Sequence, residues 1–236
     1  MYPCEIYKHA NEFPQEEVCG IVFLNKYHSV EILKTINNSL NKSESFSIDP
    51  KTFLKYKLEY NVIGIYHSHP NSTERPSVQD KKESEELGVP YFIYSLQTKK
   101  SFIYYPKSYK RDNLLGQPYV RGFNECTCLF KDLYKNNLNL DISTWNKNYW
   151  LPEDHDDANK LLMKILSKNM NKVSVSDLKR YDLMVFDINQ KRYHVGVYMG
   201  GDIFIHQPIN SLSCNQMLDD RWQNKIKSVY RHPQFV

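Results

Sequence analysis

Near its middle the chain loses its hydrophobic pattern. Residues 107–119 read Lys-Ser-Tyr-Lys-Arg-Asp-Asn-Leu-Leu-Gly-Gln-Pro-Tyr, a mostly polar run that closes on a Gly-Gln-Pro turn signal. A break of this kind divides 236 residues into two stretches, each long enough to bury a core of its own. The reading is two domains, 1–108 and 119–236, joined by a linker over 109–118.

The two stretches are patterned differently. Before the break, short apolar runs suited to buried strands, Gly20–Leu24, Val62–Tyr66, Tyr91–Ser95 and Ser101–Tyr105, alternate with helix signals. Asp49-Pro50 is an N-cap followed by proline at the first helical position, predicting a helix to about Tyr60. Ser77-Val-Gln-Asp80 has the form of a capping box, predicting a helix to about Leu87. This half is expected to be a mixed α/β sheet domain. After the break, helices over Asn124–Tyr134 and about Asp156–Lys168 come first. Strands follow at Leu183–Asp187, Arg192–Met199 and Asp202–His206, with Gly200-Gly201 turning the last hairpin. That order predicts an α+β domain, and the fold class of the whole chain is α+β.

Several function classes drop out on composition. The net charge is +4, with the excess after residue 106, and no dense Lys/Arg stripe interleaved with aromatics marks a nucleic-acid surface. No apolar run approaches the roughly 20 residues needed to span a bilayer, so no membrane insertion is expected. The start, Met-Tyr-Pro-Cys-Glu, lacks the basic and apolar regions of a secretory signal, which predicts synthesis in a cytoplasm. Five cysteines form an odd, scattered set, better read as free thiols than as a disulfide framework.

Two constellations carry chemistry. In the first half, His67 and His69 stand two apart beside a buried strand, so extended backbone sends both imidazoles to one side. Asp80 falls in the first turn of the next helix. Two histidines and a carboxylate make an open zinc site with a position left for water, and Zn2+ is the expected cofactor. A carboxylate outside the metal shell must still move the proton. Glu17, just before the first strand, is placed for that, with Glu16 its neighbour; Ser77 is placed to hydrogen-bond the oxyanion. His67-Ser-His69-Pro70 with Ser77 and Asp80 resembles the H-x-H-x₇-S-x₂-D signature of the JAMM/MPN metallopeptidases. Glu17-Val-Cys-Gly20 is similar to their upstream E-x-x-G segment, whose spacing selects Glu17 over Glu16 as the general base.

In the second half, Cys126 opens an amphipathic helix, where the helix dipole favours a thiolate. His194 lies on one strand and His206 on the next, so the second imidazole can fix the tautomer of the first. Tyr119-Val-Arg-Gly122-Phe-Asn-Glu-Cys126 resembles the Y-x-x-G-x-x-D-C segment of the papain-like NlpC family, with Glu125 in place of its aspartate. His194-Val-Gly-Val-Tyr-Met-Gly200 is similar to its H-x-G-[IV]-Y-x-G, and His206 occupies the place of the third triad member. Cys128 adds a second thiol two residues on; the family register selects Cys126. The resemblance implies a thiol peptidase acting on peptidoglycan stem peptides.

The order of the two segments resembles tail-tip assembly proteins of lambda-like bacteriophages. That likeness implies a protein made in the host cytoplasm and carried on the virion at the tail tip. Its implied partners are bacterial peptidoglycan and other phage tail-tip proteins. Two other readings stay open at this point: a structural assembly component with vestigial sites, and a JAMM isopeptidase acting on a protein substrate.

Overall fold

The computed structural model describes residues 2–109, 113–120, 124–140, 142, 155–188 and 192–235. Residues 110–112 of the expected linker and Gly122 of the second motif lie outside the described residues. The chain separates into two compact units, and Tyr109 ends the main segment of the first.

The first unit opens with helix α1 (Tyr2–Glu12) and continues through β1 (Cys19–Leu24), β2 (Val30–Thr35), α2 (Pro50–Glu59), β3 (Asn61–His69), α3 (Val78–Leu87), β4 (Tyr91–Ser95) and β5 (Ser101–Tyr104). Its sheet runs β2-β1-β3-β4-β5. Only β3 and β4 pair in parallel, with α3 as the crossover between them. Both helix starts are capped as expected. Asp49 Oδ2 accepts from the Thr52 N–H at 3.0 Å, and Ser77 and Asp80 form a reciprocal capping box. Gly88 closes α3 in the left-handed region at φ 68°. Gly20 belongs in β1 for a steric reason, because a Cβ there would collide with the Leu33 carbonyl and the Tyr66 ring.

Three features of this unit differ from expectation. Strand β3 does not end at Tyr66 but continues through His69, because Ser68 and His69 pair with Tyr94 and Ser95 of β4. Helix α1 was not expected; Ile6 and Ala10, four apart, are its fully buried apolar residues, too few for a clear period. Strand β2 is an edge strand, half-exposed along its length, and carries Glu31 and Lys34.

The second unit begins with α4 (Cys126–Leu138) and α5 (His155–Asn169). Strands β6 (Asn171–Val173), β7 (Leu183–Ile188), β8 (Arg192–Gly200), β9 (Ile203–His206), β10 (Cys214–Met217) and β11 (Ile226–Arg231) follow, with a short α6 (Asp220–Gln223) before the last. The sheet order is β10-β9-β8-β7-β11-β6, antiparallel throughout. Leu129, Leu133 and Leu166 of the helices form a core with Val195 and Val197 of β8 and Ile205 of β9. On the other face of the sheet Met184, Phe186 and Phe204 cluster, with Trp222 packed against them. Each unit thus combines helices with a sheet, and the α+β expectation for the chain holds. Among the described residues no helix is long and apolar enough to cross a membrane.

Candidate active sites

The first site forms where β3 ends beside the start of α3. His67 and His69 alternate with Ser68, so the pleat puts both rings on one side. Their Nε2 atoms lie 3.1 Å apart. Asp80, third residue of α3, brings Oδ1 to 3.1 Å from His67 Nε2 and Oδ2 to 3.5 Å from His69 Nε2. All three residues are buried. Two ligand atoms each ~2.0–2.2 Å from one tetrahedral ion stand ~3.3–3.6 Å apart, so these donors lie within a few tenths of an ångström of what a single small cation requires. The outer contacts suit it as well. His69 Nδ1 is 2.6 Å from the Thr73 carbonyl, a contact in which Nδ1–H donates and Nε2 stays free to act as a ligand. Phe46 stacks on the His67 ring at 4.5 Å and Tyr91 meets it edge-on at 5.7 Å. The Ser77 N–H donates to Asp80 Oδ2 at 2.6 Å, and the Asp80 N–H donates back to Ser77 Oγ at 3.0 Å. Ser77 therefore orients the carboxylate and retains its own hydroxyl proton.

Glu17 stands next to this group, with Oε1 4.0 Å from His69 Nε2. Glu16 points elsewhere, half-buried and 3.8 Å from Lys42. The backbone around Glu17 is clamped. Asn37 Nδ2 donates to its carbonyl at 2.8 Å, and Ser68 bonds Val18 both ways at 3.0 Å. Burial pushes the Glu17 carboxyl up to about 7, against the pull of His69. Burial also lowers His67. Asp80 and His69 are buried too, but hydrogen bonding outweighs that: contacts from His67 and then His69 hold Asp80 well below the usual carboxylate range, and contacts to Asp80 and the Thr73 carbonyl raise His69. Cys19, on β1, is no part of the group; burial pushes its thiol up to about 11 and it contacts Thr35 Oγ1 at 3.3 Å. A cleft of about 440 Å³ opens over Glu17, His69, Ser77 and Asp80.

In the second unit β8 and β9 bring His194 and His206 together, His194 Nε2 lying 2.9 Å from His206 Nδ1. In register His206 faces Gly196, not His194. The glycine leaves room for Phe204, whose ring would stand 2.7 Å from a Cβ at 196, and the His206 ring reaches His194 across the diagonal. Both rings lie on the sheet face that carries Phe186, Phe204 and Trp222. Burial pushes His206 down to about 4, which keeps it neutral. Cys126 is the first residue of α4, after the extended N-cap Glu125. It is half-buried against the core that includes Val195, Val197 and Ile205, the sequence neighbours of the two histidines.

Some residues that shape the first site gave no sequence signal. Phe46 and Thr73 are loop residues outside any period, and Asn37 follows an edge strand. Ser68 was legible only as the residue between the two histidines.

Residues 3–107 match the family of prokaryotic homologues of the JAB domain. Residues 116–231 match the NlpC/P60 family. Over 94% of its length the chain is 22% identical to the tail tip assembly protein K of Escherichia phage N15, of which it covers 90%. It is 20% identical to the protein of the same name from Escherichia phage lambda, over 78% of this chain and 89% of that one. A Desulfitobacterium hafniense protein solved in solution is 26% identical over 43% of this chain and 75% of its own, with a TM-score of 0.34.

Proposed function

We propose that this chain, a JAB-type domain followed by an NlpC/P60 domain, is a phage tail-tip peptidase with a zinc site in its first half and a thiol site in its second. The observation that carries the reading is the convergence of His67, His69 and Asp80 on one point, with Glu17 beside it. The tail-tip role rests on the names of the two phage relatives, and with it go the virion location and the other tail-tip proteins as partners.

In the first site His67, His69 and Asp80 would hold the zinc, which would supply Lewis-acid chemistry there. Glu17 takes the proton of the attacking water and delivers it to the leaving amine, a task suited to a carboxyl raised to about 7. The Ser77 hydroxyl donates to the carbonyl oxygen as it gains charge. In the second site His194 removes the Cys126 proton, and the sulfur attacks the carbonyl carbon of a stem peptide. His194 then protonates the departing amine, and water releases the acyl group from sulfur. His206 holds the His194 ring in register throughout.

Incubation with purified sacculi, followed by mass spectrometry of the released peptides, tests the reading. Wild-type protein should release stem-peptide fragments and Cys126→Ala should not. Full digestion by Cys126→Ala overturns the thiol site. No digestion by the wild-type protein leaves a structural tail component.

A further inference from the structure

A second cavity, of about 280 Å³, lies beside the first site on the same unit. The two cavities share two wall residues, Phe46 and Glu83. Phe46 is the ring stacked on His67, so the second cavity begins one ring away from the proposed zinc ligands. Ile48, Phe53, Leu87 and Tyr91 make most of its remaining wall apolar. Glu83 follows Asp80 by three residues on α3 and so shares its helix face.

Glu83 is the feature that selects an occupant. It is half-buried and accepts from Gln79 Nε2 at 2.7 Å and from the Tyr91 hydroxyl at 3.3 Å. Among the described residues no lysine, arginine or histidine pairs with it. Glu86, also on the wall, faces solvent and lies 3.9 Å from Lys82. A purely apolar side chain in this cavity would strip water from the Glu83 carboxylate and give nothing back. A long side chain with an apolar stem and a cationic head matches both the sleeve and its charge.

We propose that this cavity is a specificity pocket for a lysine- or arginine-type side chain of the peptide bound at the first site. The proposal rests on reading that site as one that binds and cleaves peptides. Diaminopimelate, whose side chain ends in a carboxylate as well as an amine, places like charge beside Glu83 and is disfavoured. The first site is thereby directed to basic peptide segments and away from diaminopimelate stem peptides.

The test uses full-length, zinc-supplied protein carrying Glu17→Gln and Cys126→Ala, so that binding is read without turnover. The probes are capped alanine pentapeptides with lysine, norleucine or diaminopimelate at the centre. The lysine peptide should bind about tenfold tighter than the other two, the gain of one charge-assisted contact. Adding Glu83→Gln should erase that preference while zinc content stays constant, and Glu86→Gln should reduce it less. Equal binding of lysine and norleucine peptides, or a preference that survives Glu83→Gln, overturns the pocket. Turnover by Cys126→Ala alone separates the two claims. Selective binding without cleavage removes the hydrolytic reading of the first site and keeps the pocket; cleavage without selectivity does the reverse.

Discussion

Glu17 and Glu16 are adjacent and chemically identical, yet one is buried 4.0 Å from His69 and the other only half-buried beside Lys42. Glu17→Gln keeps the shape and removes the proton carrier. It should retain zinc by elemental analysis and lower first-site turnover by about 10²–10⁴-fold. Loss of zinc in that variant would make Glu17 a ligand. His206 gives a residue-scale prediction for the other unit. Its value in the fold, about 4, lies below the ordinary 6.5 because of burial. Between those values the unfolded chain takes up a proton that the folded chain refuses. Its contribution is therefore complete above pH 6.5 and is lost as pH falls toward 4, on the order of 3 kcal/mol at most. Thermal melting of the wild type should fall further between pH 7 and pH 5 than that of His206→Gln. Equal falls would mean that the ring is already charged in the fold.

The elements that the sequence revealed were those whose local chemistry and tertiary role agree. Helix α3 shows this: Ser77 and Asp80 cap it, and the same pair orients Asp80 toward the histidines. Strands β1, β4 and β7 were legible as short apolar runs because both their faces are largely buried. Strands β6, β10 and β11 were not. The first is three residues long and mostly exposed, the second alternates around polar residues, and the third ends on a buried arginine whose partners lie 49 and 54 residues away. Arg231 at the end of β11 donates to Asp182 through Nε at 2.8 Å and Nη2 at 2.7 Å, and through Nη1 to Asp177 at 3.0 Å. Arg231 and Asp182 are 4% and 1% exposed, so removing one leaves the other charged and buried. Arg231→Met should destabilise the second unit by roughly 3–5 kcal/mol in denaturant unfolding, and adding Asp182→Leu should restore much of that. A single-variant cost no larger than that of a surface pair would show that water reaches the site.

At the scale of the whole chain, the polar interruption after residue 106 and the two motif sets were enough to anticipate two units in their order. The supporting contacts of each site were not, because they come from residues apart in sequence, such as Phe46 on His67 and the Phe204 ring over Gly196. Two units with separate cores need not unfold together. If zinc is held by His67, His69 and Asp80 alone, it binds the folded first unit and leaves the second untouched. Binding then adds stability only to the first unit, growing with the logarithm of free metal. Calorimetry of the zinc-supplied protein should therefore show two transitions, and a chelator should lower one while leaving the other in place. His67→Ala should lower the same transition and make it insensitive to the chelator. A fragment from Leu115 to Val236 should reproduce the chelator-insensitive transition alone and should still digest sacculi. A single transition that moves as a whole with the chelator would mean that the two units fold as one body. Chelator-sensitive digestion by the fragment would place metal chemistry in the second half and undo the division of labour between His67, His69 and Asp80 on one side and Cys126, His194 and His206 on the other.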